Sequence, residues 1–374
     1  MRIPLILVNA LKLHEGPHHL PAGNCQHVLH LAAELARFEQ FDIRFITDLQ
    51  SYGPLAECID PSKLVYTPLS GPSIIKANRA VVHAVRQLRP DIYHRPTGQL
   101  PFLKMPCMTV MGVADLGFTV LPYPPIKRLY KELSYRWSIR QADRVICVSR
   151  FTYDDVANRL KVAKQKLRVI LHGSNTLPAP EFGLAESLRG PFFIVFAHQP
   201  HKNAELCLEA MSELRSVMPT LRLAIIGNNR YIERELKPLA IRLNIGSAAH
   251  FVGTPTPSEL AGLYHQAVGL LFPSRFEGFG LPVLEAMKIG CPVICSNTCS
   301  LPEIAGNAAL QLAPDDLFGM KSAMHCLVHD PGWRKEHIIA GRKQAALFTW
   351  RHAAEETIAV YQELLSSSNR WQDN

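Results

Sequence analysis

Short apolar runs alternate with amphipathic stretches along almost the whole chain. The runs predict buried strands, and apolar residues at a spacing of three or four predict helices. The predicted strands are 3–8, 43–46, 108–110, 145–148, 167–171, 192–196, 221–226, 269–272 and 292–295. The predicted helices are 25–38, 74–88, 128–142, 204–218, 231–243, 257–265, 282–289 and 350–365. This alternation is typical of parallel sheets that helices cover on both faces.

The alternation runs twice, which predicts two doubly wound domains. A chain of 374 residues is long enough for two or three domains. The segment 177–183 has two prolines and no periodicity, as linkers do. We therefore expect an α/β protein with a first domain at 1–180, a second at 184–349, and a C-terminal helix and tail at 350–374. Ligands of such sheets bind beyond the carboxyl ends of the strands, so we expect a cleft between the domains to hold the ligand.

The net charge of +8 indicates an anionic partner. Twelve cations but only four carboxylates lie between Lys127 and Arg168, so this segment holds the whole excess. It also contains Leu129, Leu133 and Trp137, which suit an amphipathic helix at an acidic membrane surface. The alternative is a solvated basic helix whose apolar face packs on its own sheet. No helix-turn-helix or zinc-finger pattern accompanies the charge, so we do not expect nucleic acid as a partner.

The sequence predicts neither a membrane span nor a disulfide framework. No run of about 18 apolar residues occurs, and the segment 3–11 predicts a buried strand rather than a signal peptide. Nine cysteines, an odd number in a long chain, are typical of reduced thiols in the cytoplasm. The even spacing of Cys291, Cys295 and Cys299 makes metal binding an alternative. Small core residues are the expectation, because the first two flank a strand.

The segment Phe272–Ala286 is the most informative part of the sequence. It begins at a predicted strand end, passes Gly278 and Gly280, and enters a helix. The first amides of a helix have no intrahelical partner, and glycines let a bulky anion approach the backbone. The pattern therefore predicts a phosphate or diphosphate site. Glu285, one turn into the helix, is placed to accept hydrogen bonds from a sugar diol, and Glu277 precedes the turn. A solvated Glu277 and a capping Glu285 are the alternative.

Three other predicted strand ends carry residues that suit the same site. Lys202 follows the strand 192–196 and can neutralise a phosphate as a point charge. Gly227 and Gly253 each close an apolar run, which indicates two walls of the same cleft. A solvated lysine and purely architectural turns are the alternatives.

These motifs resemble those of glycosyltransferase family 4, in particular its bacterial mannosyltransferase-like group 1 members. The most specific match is the pair Glu277 and Glu285 around Phe-Glu-Gly-Phe-Gly-Leu-Pro. The stretch from about Phe192 to Pro314, with Phe348-Thr349-Trp350, resembles the family's donor domain. Matches within it are Pro200-His201-Lys202-Asn203, Gly253 followed by Glu259-Leu260, and Ser300-Leu301-Pro302-Glu303. The first half matches more loosely, at 142–149 and 172–173.

The resemblance implies a fold and a set of residue roles. The fold is GT-B, with two Rossmann-like domains facing a cleft and a C-terminal helix that returns toward the first domain. Glu285 would hold the donor ribose, Glu277 would contact the transferred sugar, and Lys202 would stabilise the diphosphate leaving group. Asp115 would be a third catalytic residue, beside Glu277 and Lys202. The other donor-binding residues would be Phe279, Gly280, Leu281, Gly23, Gln199, Gly227, Val252 and Gly253.

Two positions depart from the family pattern. Gln199 stands near the place where many members have an arginine ahead of the lysine. Ala114, before Asp115, replaces a histidine that contacts the sugar or acceptor side in many members.

We therefore expect a retaining glycosyltransferase of surface polysaccharide synthesis. It would move a hexose from GDP-mannose or a UDP-sugar to a saccharide or lipid-linked acceptor. The chain offers no Asp-x-Asp motif near a strand end, and we expect neither a metal ion nor another cofactor. The expected location is cytoplasmic, with attachment to the inner face of the membrane if the basic segment binds lipid. A sugar-nucleotide epimerase and a non-catalytic nucleotide-sugar-binding partner are the alternatives, the latter because of Ala114.

Overall fold

The chain divides into two compact units. The computed structural model describes residues 2–11, 23–67 and 74–367. One unit comprises Met1–Gly173 with Thr349–Asn374, and the other comprises Ser174–Phe348. Residues 174–180, which the sequence assigns to the first domain, therefore belong to the second unit. The C-terminal helix, Trp350–Ser367, belongs to the first unit.

The first unit is built on a parallel sheet of seven strands in the order β3-β2-β1-β4-β5-β6-β7. The strands are β1 (Leu5–Asn9), β2 (Asp42–Thr47), β3 (Leu64–Tyr66), β4 (Ile92–Arg95), β5 (Met108–Val113), β6 (Arg144–Cys147) and β7 (Leu167–Val169). Its helices are α1 (Gly23–Leu35), α2 (Leu49–Ala56), α3 (Ile74–Leu88), α4 (Pro125–Gln141), α5 (Arg150–Arg159) and the C-terminal helix. Every residue of β1 is buried, as expected for a central strand covered on both faces.

The second unit has a parallel sheet of six strands in the order β10-β9-β8-β11-β12-β13. The strands are β8 (Phe192–Phe196), β9 (Arg222–Ile226), β10 (Ala249–Gly253), β11 (Gly269–Phe272), β12 (Val293–Ser296) and β13 (Leu310–Leu312). The helices are α6 (Gly183–Ser187), α7 (Ala204–Leu214), α8 (Lys237–Arg242), α9 (Pro257–Gln266), α10 (Leu281–Ile289), α11 (Leu301–Ala305), α12 (Leu317–His329) and α13 (Pro331–Ala346). A π-helical turn, Ile232–Leu236, leads into α8. Both sheets thus have the doubly wound order that the alternation predicted.

The sequence patterns missed several elements that are short or carry polar residues. β4 was missed although it lies at the centre of the first sheet, because His94 and Arg95 interrupt its apolar character. The sequence patterns also missed the short edge strands β3 and β13 and the helices α2, α5, α6, α11, α12 and α13. The predicted helix 231–243 is observed as an uninterrupted helical segment that includes the π-helical turn Ile232–Leu236 and continues as α8.

The C-terminal helix packs against the first unit. Tyr361 on this helix is buried, and its hydroxyl lies 2.6 Å from Nδ1 of His94 in β4. Glu363 forms ion pairs with Arg144 of β6, at 2.7 Å, and with Arg168 of β7. The chain leaves the first unit at Gly173 and re-enters it near Trp350. A side chain on Gly173 would overlap the backbone nitrogen and the ring of Trp350, so only glycine fits there.

Helix α4 exposes its apolar side. Its buried residues are Ser134, Ser138 and Ile139, and Ser138 Oγ accepts a hydrogen bond of 3.0 Å from the amide of Leu100. Its exposed large apolar residues, here called the apolar stripe, follow one another at helical spacing: Ile126, Leu129, Tyr130, Leu133 and Trp137. The interpretation in which the apolar face of this basic helix packs on its own sheet is therefore wrong. No helix within the described ranges is long and apolar enough to cross a bilayer.

Three buried histidines meet in the core of the first unit. His27 of α1 and His172 lie with their ring centroids 3.9 Å apart, and His94 lies next to the same small cavity. Burial lowers the pKa of His27 from 6.5 to about 3, with a smaller contribution from His30. Burial also lowers the pKa of His94 to about 3 and places the pKa of His172 well below its usual value. In both cases the neighbouring His27 makes a smaller contribution.

We predict that acid destabilises the folded chain through these histidines. Between pH 6.5 and about 3, the unfolded chain binds protons on His27 and His94 that the folded chain does not bind. Their stability contribution is therefore intact above pH 6.5 and falls by about 1.4 kcal/mol per histidine for each pH unit below it. Urea unfolding at a series of pH values, followed by circular dichroism, measures this slope. The variant His27→Gln should show a shallower slope, whereas His83→Gln, on the exposed face of α3, should not. Equal slopes for the two variants would contradict the prediction.

Candidate functional site

The strand order of the second sheet reverses between β8 and β11. Helices that follow two such neighbouring strands cover opposite faces, which leaves a crevice beyond the carboxyl ends of the strands. Lys202 ends a single helical turn, Pro200–Lys202, in the loop after β8. Glu277 lies in the loop between β11 and α10. The reversal therefore brings together the two residues that the sequence placed at this site.

Lys202 and Glu277 form a direct ion pair. The distance from Lys202 Nζ to Glu277 Oε1 is 2.5 Å, and the two side chains are only 16% and 12% exposed. The Lys202 ammonium group also lies 4.9 Å from the centroid of the Phe272 ring, so the ring covers one side of the ammonium group. A largely enclosed ammonium at a strand end is already positioned to meet an anionic group that enters the crevice.

Asn203 holds the loops around Lys202 in place. It is buried and adopts a left-handed backbone conformation, with φ 59°. Its Nδ2 donates to the carbonyl oxygens of Pro273, at 3.2 Å, and Pro314, at 2.6 Å. Its Oδ1 accepts from Arg275 Nη2 at 2.8 Å. One side chain thus connects the loops that follow β8, β11 and β13.

The glycine-containing loop before α10 is fixed by Ser300. The fully buried hydroxyl of Ser300 donates to the carbonyl oxygen of Phe279 at 2.7 Å and lies 3.1 Å from the carbonyl oxygen of Glu277. Gly280 is the N-cap of α10 with φ 117°, and a Cβ there would lie 2.7 Å from Leu301 Cδ2. Glycine is therefore required at this turn. Leu281 opens the helix, Pro282 has no amide hydrogen, and the amide of Val283 donates to the carbonyl oxygen of Gly280 at 3.0 Å, so the amide of Leu281 is the one left at the open end of α10.

Glu285 lies in the second turn of α10 and is half-buried. Its Oε1 accepts a hydrogen bond of 2.7 Å from Asn175 Nδ2. Burial raises the pKa of the Glu285 carboxyl, and the hydrogen bond from Asn175 opposes this rise. Asn175 orients the carboxylate but was missed in the sequence, where nothing links it to a residue 110 positions away.

The other predicted residues of this unit lie at neighbouring strand ends. Gly227 follows β9, and its amide donates to the carbonyl oxygen of Gly253 at 2.7 Å. Val252 and Gly253 are half-buried in β10, the edge strand beyond β9. Gln199 is exposed and begins the turn that ends at Lys202. Gly227 thus follows β9, the strand next to β8, and the β10 residues are one strand further away.

Two predicted site residues belong to the first unit. Asp115 follows β5, and its Oδ1 accepts a hydrogen bond of 2.7 Å from the amide of Gly117. The carbonyl oxygen of the neighbouring Ala114 accepts from Thr152 Oγ1 at 3.1 Å. Gly23 is the first residue of α1, and the preceding Pro21 and Ala22 lie outside the described residues.

The evenly spaced cysteines form no cluster. Cys291 and Cys295 are buried on β12 or beside it, and Cys299 lies in the following loop with φ 58°. Within the described ranges, no three His, Cys, Asp or Glu side chains are grouped as metal ligands would be. No disulfide joins the cysteines whose side chains are described.

Two family models match successive halves of the chain. Residues 25–176 match the model described as Glycosyltransferase Family 4. Residues 187–344, which contain Lys202, Glu277 and Glu285, match the model described as Glycosyl transferases group 1.

Solved structures with the same fold cover nearly the whole chain. The sucrose-phosphate synthase of Thermosynechococcus elongatus has a TM-score of 0.77 at 21% identity, covering 98% of this chain and 100% of that one. Anabaena HepE, solved in complex with UDP and glucose, has a TM-score of 0.73 at 16% identity over 98% and 100% of the two chains. Both sheets therefore belong to the two-domain GT-B fold.

The similarity in sequence extends to characterised enzymes. The chain is 30% identical over 295 residues to the O-antigen chain mannosyltransferase B of Escherichia coli, covering 75% of this chain and 76% of the relative. It is 27% identical over 225 residues to the O-antigen chain mannosyltransferase RfbU of Salmonella typhimurium, covering 60% and 61%. A glycogen synthase of Mycobacterium tuberculosis is 28% identical over 234 residues, covering 60% and 55%. From these matches and the fold, the chain belongs to glycosyltransferase family 4, the group 1 glycosyl transferases.

Proposed function

We propose that the chain transfers mannose from GDP-mannose, with retention of configuration and without a metal ion. The acceptor would be a saccharide or a lipid-linked saccharide in the synthesis of a surface polysaccharide. The observation that carries the proposal is the enclosed Lys202–Glu277 pair at the strand reversal, with Glu285 in the second turn of α10. The relatives named as O-antigen mannosyltransferases support the choice of sugar and of product.

Glu285 binds the nucleoside end of the donor in this proposal. A carboxylate can accept two hydrogen bonds from a ribose diol. The hydrogen bond from Asn175 fixes its orientation before the donor arrives, so little ordering entropy is lost on binding.

Lys202 and the backbone amides around Gly280 and Leu281, at the start of α10, act on the diphosphate. As the bond from the anomeric carbon breaks, negative charge grows on the diphosphate and the sugar acquires oxocarbenium character. A cation and helix amides that are already in position stabilise this growing charge more than they stabilise the bound donor. They supply the positive charge that a metal ion supplies in other transferases, and we therefore propose a metal-independent reaction.

Glu277 has two tasks in this scheme. Its carboxylate holds the Lys202 ammonium until the diphosphate binds, and it then contacts the hydroxyl groups of the transferred sugar. Retention follows from attack by the acceptor hydroxyl on the same face that the diphosphate leaves, and this step rests on family analogy.

We predict that Lys202→Ala lowers kcat by about 100- to 1,000-fold, because the variant loses charge stabilisation that matters most in the transition state. GDP release in the presence of acceptor measures the rate. Lys237→Ala is the matched control, since Lys237 also pairs with a glutamate but on the exposed surface of α8. Unchanged turnover in Lys202→Ala would refute the assignment.

We predict that Glu285→Gln weakens donor binding by about 10- to 100-fold, the usual worth of a hydrogen bond to a charged group. The affinity of the wild-type protein should also fall as pH decreases, at a higher pH than for an ordinary glutamate, because burial raises the pKa of Glu285. Protonation removes an acceptor that the diol needs. Calorimetric titration with GDP-mannose measures both effects, and Glu233→Gln, an exposed glutamate of the same unit, is the control. A pH step that persists in Glu285→Gln would assign it to another group.

The donor is identified by thermal stabilisation. Among GDP-, UDP-, ADP- and dTDP-sugars, GDP-mannose should raise Tm most, equivalent to about 2.7 kcal/mol at a concentration 100 times its Kd. A larger shift with a UDP-sugar would overturn the proposed donor. Conversion of the donor without any acceptor would indicate an epimerase. Donor binding without transfer, restored by Ala114→His, would indicate a non-catalytic partner.

A further inference from the structure

The apolar stripe of α4 is an unusual surface for this protein. Of the exposed large apolar side chains in the described part of the chain, eight lie between Phe102 and Trp137. Ile126 is 85% exposed and Leu133 59% exposed. Helices on the surface of a globular protein normally turn such a stripe toward the core, while α4 turns Ser134 and Ser138 inward. A contiguous exposed apolar face of this kind marks an interaction surface.

A cavity of about 900 Å³ opens beside the C-terminal half of the stripe. Its walls include Tyr130, Leu133 and Trp137, and its polar lining includes Arg140, Lys161 and Lys166. The volume lies in the range of small-molecule sites. An apolar cavity with a cationic lining suits a ligand that has both a hydrocarbon part and an anionic part.

The cations around this cavity are available to an external anion. Arg140, Lys161 and Lys164 are exposed and have no ion pair within the described ranges. Lys166 Nζ donates to the carbonyl oxygens of Ile139 and Arg140, which keeps its charge at the end of α4. The segment from Lys127 to Arg168 carries the entire net charge of +8.

The cavity lies at the amino edge of the first sheet. Arg140 comes just before β6, and Lys161 and Lys166 come just before β7. Ligands that react in doubly wound domains bind at the opposite, carboxyl edge. The cavity is therefore a different place from the one where the acceptor of the transfer reaction is expected.

We propose that α4 lies in the surface of a membrane of acidic phospholipid, with the apolar stripe below the head groups. The cavity takes the phosphate and the first part of the acyl chain of one such lipid. Tyr130 and Trp137 suit the boundary between head groups and hydrocarbon, and the cations meet the anionic surface. A second copy of the chain does not fit this face equally well, because two surfaces of the same strong positive charge repel.

Binding to vesicles tests the proposal with the full-length wild-type chain. Sedimentation with phosphatidylcholine vesicles that contain phosphatidylglycerol should recover the protein, and pure phosphatidylcholine vesicles should recover much less. Added salt should weaken the binding, because it screens the cations.

Two double variants separate the apolar and the charged contributions. Arg140→Ala with Lys161→Ala should lower the partition coefficient about 25-fold, at about fivefold per cation. Leu129→Ser with Leu133→Ser should lower it by about tenfold or more. Ile241→Ser with Arg242→Ala, an exposed pair on α8, is the matched control and should bind as the wild type does. All variants should keep the wild-type Tm and the wild-type rate on a short water-soluble acceptor.

Three results would overturn the proposal. The first is equal binding to neutral and anionic vesicles, and the second is equal binding by the stripe variant and its control. The third is a concentration-dependent dimer in solution that Leu129→Ser with Leu133→Ser abolishes, which would assign the stripe to a second copy of the chain.

Discussion

The reversal of strand order between β8 and β11 determines where the candidate site of the second unit lies. Parallel strands point all their carboxyl ends to one edge, and at the reversal the following helices separate to opposite faces. The lysine after β8 and the glutamate after β11 can then approach to 2.5 Å while their backbones belong to different loops. Asn203 and Ser300 make this approach stable, since each connects loops that follow different strands.

The sequence predicts those parts of the fold that depend on local pattern. The strands β8 and β11 are continuous apolar runs, and their predicted bounds are the observed ones. β4 has an equally central position, but its His94 is stabilised by Tyr361, far away in the chain. A pattern taken over a few neighbouring residues does not contain that contact.

The residues of the candidate site also differ in whether a local sequence pattern or a long-range contact reveals them. Lys202, Glu277 and Glu285 stand out in the sequence because they lie in, or one turn after, loops that connect a strand to a helix. Asn175 does not, although it fixes the Glu285 carboxylate, because its role exists only after 110 intervening residues have folded. Helix α4 shows a related limit: its sequence reveals an amphipathic helix but not which face the sheet covers. Ser138 faces inward, where its hydroxyl accepts a hydrogen bond from the amide of Leu100, a residue that no local pattern links to this helix.

The chain leaves the first unit, builds the whole second unit and then returns, so the second unit has all its residues before the first unit does. The second unit is one uninterrupted segment, and its two ends are joined by a hydrogen bond of 2.9 Å from the amide of Ser174 to the carbonyl oxygen of Phe348. The first unit is complete only when Trp350–Ser367 joins α1 and the strands β4, β6 and β7. During synthesis the first unit therefore lacks its last helix until residues 350–367 have been added, while the second unit has all its residues earlier. This reverses the usual sequence in which N-terminal domains finish first.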